Sequence, residues 1–254
     1  MSLIPKTHPR AESLLIREKL VTGFDHGLVA KEGLLAHGRG EAFDYLLGEK
    51  TNKTAKLAIK VAAAQIILSD LSVISVNGNI AALCPKEIIK LANTTKSKIE
   101  VNLFYTNKKR KSNIIKILKK NGAKEILGIN RNSSTTLSGL DSARRIVDKN
   151  GIFAADLVIV PLEDGDRTIA LRKAGKTVIT FDLNPLSRTS QTANITIVDN
   201  VIRAIDLLIT AYQKLSKKNK KTLKKIIDNF DNKKNLSESI IEIRNNLTRR
   251  SYNA

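Results

Sequence analysis

The sequence predicts a three-layer, Rossmann-like α/β sandwich built on a mostly parallel sheet of about six strands. Apolar, β-branched runs alternate with helical patterns through the middle of the chain, and this alternation is typical of parallel strands joined by right-handed crossovers. With 254 residues, of which 42% are hydrophobic, the chain can bury a large core in one such domain. We expect a catalytic-type α/β domain over residues 1–212 and a basic helical extension over residues 213–254.

The predicted strands are short runs rich in β-branched residues. They are Val73–Val76, Ile99–Phe104, Glu125–Ile129, Leu157–Pro161, Thr177–Phe181 and Asn194–Val198. Helical patterns fill most intervals and follow the last strand, at Pro85–Thr95, Lys108–Asn121, Gly139–Lys149, Arg167–Ala174 and Val201–Lys214. Pro85 suits the first turn of its helix, and Gly122 and Gly175 suit the ends of theirs.

Two further helices precede the sheet. Glu12–Thr22 carries apolar residues on one side, and Thr54–Leu68 is rich enough in Ala, Ile and Val to be nearly buried. We interpret residues 26–51 as a polar loop between them. Past Tyr212 the chain is rich in lysine and has weak apolar stripes, which indicates a helical extension that packs on a partner subunit.

Composition excludes several classes of protein. The single Cys84 cannot form an intramolecular disulfide, so we expect a reducing compartment and a cytoplasmic protein. No apolar run approaches the roughly 18 residues that span a bilayer, and the first residues lack a secretory signal, so no membrane partner is expected. His8 and His26 lack metal-ligand spacing, which argues against a zinc site.

The net charge of +20 requires an explanation. Lys108–Lys124 holds eight basic residues and no acid, and Lys214–Lys225 holds seven lysines and no acid. These clusters fit either a nucleic-acid-binding surface or the solvated faces of two helices. We favour solvated faces, because the lysines lack interleaved aromatic residues that could stack on bases. Specific binding of nucleic acid is therefore not expected.

Polar clusters follow four of the predicted strands. Asn77-Gly78-Asn79, residues 163–167, Asp182-Leu183-Asn184 and Asp199-Asn200 leave the carboxyl ends of their strands. Because such ends share one edge of a parallel sheet, the clusters can line a single ligand crevice. The alternative is that Asn, Asp and Gly simply cap helices and end strands.

A second polar segment contains His37, Arg39 and Gly40. A guanidinium between two glycines can grip phosphate oxygens with two parallel hydrogen bonds, and Arg188 is available for the same purpose. His37 is a candidate phosphate donor, an acid–base group or a structural residue. A complete P-loop is not present, since Gly48-Glu49-Lys50-Thr51 lacks the required upstream glycine and strand. A Rossmann glycine fingerprint is not present either, because no G-x-G-x-x-G opens the first helix after a strand.

Taken together, these segments resemble the archaeal phosphopantothenate synthetase family, also called 4-phosphopantoate–β-alanine ligase. The resemblance runs in order through most of the chain and is weakest in the basic tail. The matching segments are Ile4–Arg10, Glu12–Lys19, His37–Thr51, Ile74–Asn79, Glu100–Tyr105, Val160–Thr168, Asp182–Thr189 and Ile197–Val201.

The resemblance implies ATP-dependent condensation of 4-phosphopantoate with β-alanine in coenzyme A biosynthesis, by a homodimer that forms AMP and diphosphate. It implies an ATP site formed by Arg17, Arg39, Asp182, Leu183, Asn184, Arg188, Thr189, Asp199, Asn200 and Val201. An acyl-adenylate route needs Mg²⁺ on the triphosphate and positive charge around the phosphates. A related ligase with another acid or amine remains open, because small differences between substrates are weakly discriminated.

Within that reaction we expect Arg17, Arg39 and His37 to act at the catalytic centre. We also expect Asn77 and Asn79 to lie near the substrates. The basic N-terminal residues Lys6, His8 and Arg10 are candidates for binding the phosphate of phosphopantoate. The metal ligands and the residue that accepts the amine proton are not identified by the sequence.

Overall fold

A five-stranded, fully parallel sheet forms the middle layer of the protein. The computed structural model describes residues 5, 7–8, 10–105 and 107–252. In sheet order the strands are β2 (Lys98–Val101), β1 (Ser72–Val76), β5 (Leu157–Ile159), β6 (Thr177–Phe181) and β7 (Ile195–Ile197). The predicted α/β sandwich with a mostly parallel sheet is confirmed.

Of the six predicted strands, the segment Glu125–Ile129 is the one that does not join the sheet formed by the described residues. That segment makes only one isolated bridge, between Leu127 and Glu100. The next residue, Gly128, has a left-handed backbone (φ +77°) beside the carbonyl group of Val101. The chain therefore turns away from β2 after one pairing, and the sheet has five strands rather than about six.

Helices cover both faces of the sheet. They are α1 (Ala11–Asp25), α2 (Lys31–Leu47), α3 (Lys53–Leu68), α4 (Gly78–Leu83), α5 (Pro85–Thr95), α6 (Lys108–Lys120), α7 (Gly165–Lys173), α8 (Arg188–Thr192), α9 (Val201–Leu215), α10 (Lys220–Asp228) and α11 (Asn232–Ser251). Most predicted helices are present within a few residues of their expected ends. No described helix is both long and apolar enough to cross a membrane.

The two faces of β1 show how the core is divided. Ile74 points into a large apolar cluster with α3, α5 and α9. The neighbouring Val73 points the opposite way, into a smaller cluster with Val158, Val178 and Leu171. This alternation follows from the two-residue period of a strand. Because both faces are covered, all five residues of β1 are buried.

The interpretation of residues 26–51 as a loop is wrong, since α2 occupies most of that range. Glycines at 33, 38 and 40 lower its intrinsic helix propensity, and for this reason the sequence pattern did not predict a helix. Tertiary packing overrides that preference, because Leu47 is buried against Leu183 and Leu236. The helix ends at Gly48, whose left-handed backbone (φ +85°) is the usual C-terminal cap.

The helix predicted at Gly139–Lys149 is also wrong. The chain there forms the second strand of an antiparallel hairpin, β3 (Ser134–Thr136) with β4 (Ile146–Asp148), after a 3-10 turn at Ala143–Arg145. Val147 anchors the hairpin by packing into the smaller apolar cluster. A short strand with one inward residue gives too weak a period to be recognised in the sequence.

The C-terminal helices pack on the rest of this chain. Leu223 of α10 is buried in the large cluster, and Leu236 of α11 is buried beside Leu47. Helix α11 contacts α2 and α3. The division of the chain at residue 213, which falls within α9, and the contact of this extension with a partner subunit stay predictions.

One arginine fixes α2 to the end of the sheet. Arg203 of α9 donates from Nη2 to Asp44 of α2 at 2.5 Å and to Asp199, after β7, at 2.8 Å. Thr51 also donates to Asp199, at 2.6 Å. Burial alone would lower the pKa of Arg203, but its two carboxylate partners raise that pKa overall. The guanidinium is therefore charged throughout the range in which the protein folds.

We expect Arg203→Ala to lower the free energy of unfolding by about 3–5 kcal/mol, because it leaves Asp44 and Asp199 buried without their cation. Urea denaturation at pH 7 measures the change. Arg203→Lys is the control, since it keeps the charge and loses only the forked geometry, and should cost less. A loss below about 1 kcal/mol for the alanine variant would contradict this role.

One residue of β2 carries a fully buried carboxyl group. Glu100 accepts hydrogen bonds from the backbone amides of Asp148 (3.1 Å) and Ile152 (2.7 Å). Burial nevertheless raises the pKa of Glu100 from 4.5 to about 7. The folded state therefore binds this proton more tightly than the unfolded state does.

A raised pKa gives the fold stability that is complete below about pH 4.5 and declines as the pH rises through about 7. The shift corresponds to about 3 kcal/mol. Between pH 4.5 and pH 7.5 we expect the wild type to lose about this much unfolding free energy relative to Glu100→Gln, which cannot titrate at this position. A difference that is independent of pH would show that Glu100 does not titrate in this range.

Candidate active site

The sheet has a topological switch point between β1 and β5. From β1 the chain moves to β2 on one side, and it later returns to β5, β6 and β7 on the other. Asn77 lies at this point and bridges the two strand ends, donating to the carbonyl groups of Pro161 and Leu162 at 3.1 Å each. Ligands of open α/β sheets bind in the crevice at such a point.

A cleft of about 350 Å³ opens at the switch point. Its floor comes from the carboxyl ends of β2, β1 and β5, and one wall is α2. The lining residues include Glu32, Gly33, Ala36, Arg39, Asn77, Gly78, Asn79, Leu103, Phe104, Tyr105, Arg110, Arg144, Leu162, Glu163 and Asp164. The cleft therefore combines an apolar floor with three arginines.

Two close backbone approaches hold α2 and the segment just before it against this edge. The amide of Asn79 donates to the carbonyl group of Gly33 at 2.9 Å, and a Cβ at Gly33 would collide with that side chain. A Cβ at Gly78 would collide with the carbonyl oxygen of Leu28. Asn77 and Asn79, predicted as substrate-binding residues, thus line the cleft and also use their amides to shape it.

Arg39 projects from α2 into the cleft. The residue is exposed, and its side chain forms no hydrogen bond or ion pair with any described residue. Burial raises the pKa of Asp182 at the neighbouring strand end, and the charge of Arg39 opposes that shift. An unpaired guanidinium on the wall of a cleft is available for an anionic ligand.

Leu162 carries a strained backbone at the same edge. Its φ of +52° is rare for a bulky residue. The conformation is held from both sides, since Leu162 donates its amide to Phe181 at 3.1 Å and accepts from Asn77. Strain of this kind costs on the order of 1–3 kcal/mol and is typical of ligand-binding positions.

Buried charges lie under the cleft. Glu163 pairs with Arg144 and with Arg167, the second at 3.2 Å, and Arg144 also pairs with Asp164. Arg167 further donates to Asn102 at 2.5 Å. Burial lowers the pKa of Arg144 and of Arg167 to about 10, so both remain charged at neutral pH. Two cations and two carboxylates thus form a rigid, nearly neutral base for the site.

The segment after β6 is an ordered loop. Asp182 accepts hydrogen bonds from the amide of Asn184 (2.9 Å) and from the hydroxyl of Ser187, and Leu183 packs under Gly40 of α2. Arg188 pairs with Asp166 at 2.7 Å on the surface. The predicted ATP residues of this segment therefore lie together, and the hydroxyl of Thr189 ties them to the carbonyl group of Glu163 at 2.8 Å.

The remaining predicted residues lie on a neighbouring face of α2. Arg17 of α1 pairs with Glu41 at 2.9 Å, and His37 lies beside Glu41 and Asn200 at a cavity of only about 20 Å³. Burial lowers the pKa of His37. In the described chain, these groups border α1 and the end of β7 rather than the larger cleft.

Other predicted residues have structural partners. Asn200 caps α9 by accepting from Ile202 at 3.1 Å, and Val201 is the buried first residue of that helix. Arg10 contacts Tyr45 and Glu41, and the ring of His8 accepts from the amide of Arg10 at 3.0 Å. Lys6 lies outside the described residues. The roles of all these residues as ligand contacts stay predictions.

Several residues of the cleft were missed in the sequence. Arg110 was hidden in a lysine cluster, and Arg144 lay in a segment read as a helix. Phe104 and Tyr105 form an aromatic pair with ring centroids 4.8 Å apart. The sequence offered two signals for this pair, since it lies in the segment Glu100–Tyr105 that carries the family resemblance and two adjacent rings are unusual in so aromatic-poor a chain.

The two lysine clusters lie on amphipathic helices. In α6, Ile114 and Leu118 are buried, while most of the lysines are exposed. In α10, Leu223 is buried and the lysines are exposed. This arrangement is that of solvated helix faces packed by their apolar sides.

No cluster of three or more His, Cys, Asp or Glu suited to a metal ion occurs in the part of the chain that the structure describes. Among the acidic residues of the cleft, Glu163 is almost fully buried and paired with two arginines. Glu32 and Asp164 are more accessible. Among the described residues that line the cleft, these two are therefore the accessible carboxylates.

The family model described as phosphopantothenate/pantothenate synthetase matches residues 54–246. Relatives named 4-phosphopantoate–β-alanine ligase in Thermococcus kodakarensis and Methanosarcina mazei are each 50% identical over 247 residues, or 97% of this chain and 94% and 96% of theirs. One in Thermococcus onnurineus is 48% identical over 250 residues, with 98% and 95% covered. The chain therefore belongs to the phosphopantothenate/pantothenate synthetase family.

Proposed function

We propose that this chain joins 4-phosphopantoate to β-alanine and cleaves ATP to AMP and diphosphate, a step of coenzyme A biosynthesis. The observation that carries the proposal is the cleft at the switch point, with the unpaired Arg39 on its wall. Family membership supports the choice of substrates, because the relatives that align with nearly the whole chain bear the name of this ligase.

The chemistry requires an activated acid. A carboxylate oxygen of phosphopantoate attacks the α-phosphorus of ATP, which forms an acyl-adenylate and releases diphosphate. The neutral amine of β-alanine then attacks the acyl carbon, the bond to AMP breaks, and the amine proton leaves to solvent or a nearby base. Holding the reactants in line can supply roughly 7–11 kcal/mol of the rate enhancement.

In this proposal the nucleotide lies toward the β5–β7 end of the edge. Arg39 and Arg188 neutralise phosphate charge, and Arg17 adds charge from α1, where it contacts Glu41 of α2. Asp182, Leu183, Asn184 and Thr189 orient the nucleotide, with the turn Asp199-Asn200-Val201 beyond them. The hydrogen bonds within the loop after β6 favour this assignment, because they fix the loop before a ligand arrives.

His37 is assigned to the catalytic centre as a neutral imidazole, because burial disfavours its charged form. Its Nε2 is buried and has no partner among the described residues. This orphan nitrogen can take up or donate one hydrogen bond when a ligand binds nearby. The assignment of His8, Arg10 and Lys6 to the substrate rests on the sequence alone.

Magnesium accompanies the triphosphate in this proposal, where it would neutralise charge that develops on the departing diphosphate. Glu32 and Asp164 are the residues that would hold it beside the cleft. Each is a single carboxylate, which is the usual protein contribution to such a site.

We further propose a homodimer that works in the cytoplasm. Helix α1 exposes Leu15 (38%) and Val21 (53%), and Leu15 borders an apolar groove of about 520 Å³ against α4 and α6. An exposed apolar surface of this kind is typical of a contact between subunits.

Arg39→Ala is expected to lower kcat/KM at least tenfold, because charge-assisted contacts are worth about 1.5–3 kcal/mol. Steady-state assays of AMP release measure the effect. Arg172→Ala is the matched control, since it removes the same group from the exposed end of α7. A loss of less than tenfold, or an equal loss in both variants, would remove Arg39 from the site.

The nucleotide product identifies the activated intermediate. We expect AMP, diphosphate and phosphopantothenate to form together when the protein is incubated with ATP, Mg²⁺, 4-phosphopantoate and β-alanine. Formation of ADP would replace the acyl-adenylate with an acyl-phosphate. No turnover by a folded protein would overturn the proposed ligase.

A further inference from the structure

We propose that Asn232, the first residue of the C-terminal helix α11, is a positioning residue for the nucleotide. It acts through α8, the short helix that carries Arg188 and Thr189. This inference rests on the proposed ligase and gives the basic C-terminal extension a function within its own subunit. Asn232 does not line the cleft, so its effect on a ligand is exerted through the residues that it holds.

Helix α8 cannot hold its shape alone. It has only five residues, Arg188–Thr192, and helices shorter than about 12 residues are marginal without tertiary contacts. Its last backbone carbonyl groups have no partner within the helix. The ion pair between Arg188 and Asp166 lies on the surface, with side chains 69% and 70% exposed, and such pairs contribute little. The position of α8 therefore depends on what it packs against.

Asn232 joins the end of α8 to the last strand of the sheet. Its Nδ2 donates to the carbonyl groups of Ser190 (3.0 Å) and Ala193 (3.1 Å). Its Oδ1 accepts from the backbone amide of Thr196 in β7 at 2.8 Å. Because β7 is an edge strand, this side chain takes the place of a neighbouring strand there. An amide side chain suits the position, since it offers two donors and an acceptor at once.

Asn232 is itself held in place from two sides. Asp231 caps α11 by accepting from two backbone amides of its first turn, at 2.8 and 3.2 Å. Leu236, one turn later on the same face, is buried with Leu47 of α2 and with Leu183 after β6. The start of α11 therefore supports three segments that carry proposed nucleotide residues, namely α8, α2 and the loop after β6.

Loss of this contact should affect the nucleotide more than the other substrates. Without the two hydrogen bonds from Asn232, the end of α8 is free to unwind, and Arg188 loses its fixed starting point. Binding of ATP must then order the helix, and that cost lowers the affinity. The acid and the amine are not assigned to α8. A selective effect on ATP thus separates positioning from a general loss of stability.

The test measures ATP binding with Mg²⁺ by calorimetry and the KM for 4-phosphopantoate at saturating ATP, with the full chain. Asn232→Ala should weaken ATP binding about tenfold and change that KM less than about twofold, since small misplacements away from the chemistry have effects of this size or larger. Leu223→Ala is the matched control, because Leu223 is buried in α10 of the same extension. It should lower the urea midpoint and leave ATP affinity unchanged.

Hydrogen exchange of the wild type gives a second test that needs no variant to fold. Saturating ATP should slow amide exchange in α8 and in the first turn of α11, because a ligand that requires an ordered segment suppresses the opening of that segment. Exchange in α10 should not change. Slowing in α8 alone, or in neither helix, would overturn the role of Asn232.

Three outcomes of the binding test would overturn this inference alone, provided that the wild type is an active ligase. They are equal weakening of ATP binding in both alanine variants, unchanged ATP affinity in Asn232→Ala, and a loss of the same size for 4-phosphopantoate as for ATP. A wild type that neither binds ATP nor turns it over would overturn the proposed function with it.

Discussion

The site depends on one arginine, Arg203, which forms ion pairs with two buried carboxylates from different layers. Asp44 belongs to α2, and Asp199 follows the last strand of the sheet. Through this contact α2 is held across the carboxyl edge, although its glycines make it a poor helix by propensity alone. The same helix supplies a wall of the cleft with one face and contacts α1 with the next. The geometry of the cleft and of the region between α1 and α2 therefore depends on the position in which Arg203 holds α2.

A second group of charges gives the cleft its rigidity. Burying Arg144, Arg167 and Glu163 together is costly, and apolar residues of similar size would often stabilise a fold at least as well. What the charges provide is a fixed array of charged groups at the base of the cleft, with little reorganisation left for the moment of binding. The strained backbone of Leu162 lies at the edge of this array. Like the buried charges, it costs stability and fixes the geometry of the site.

The sequence predicted the parallel sheet well because its strands are continuous apolar runs that signal burial on both faces. It also placed the polar clusters at one edge, since the carboxyl ends of parallel strands must meet there. It failed where tertiary packing overrides local preference: α2 looked like a loop because of its glycines, and the hairpin at β3 and β4 has too few inward residues to show a period. Arg110 was overlooked for another reason, because its distinct environment exists only after α6 is folded against β2.

Tyr105, in the aromatic pair at the mouth of the cleft, gives the protein an intrinsic fluorescence probe of that site. The chain has four tyrosines and no tryptophan, so its near-ultraviolet emission comes from tyrosine alone. Tyr105 stands beside Phe104 at the cleft, whereas Tyr45 contacts arginines between α1 and α2. Tyr212 lies on α9, and Tyr252 follows α11. Occupancy of the cleft thus changes the surroundings of one fluorophore in four, without any label attached to the protein.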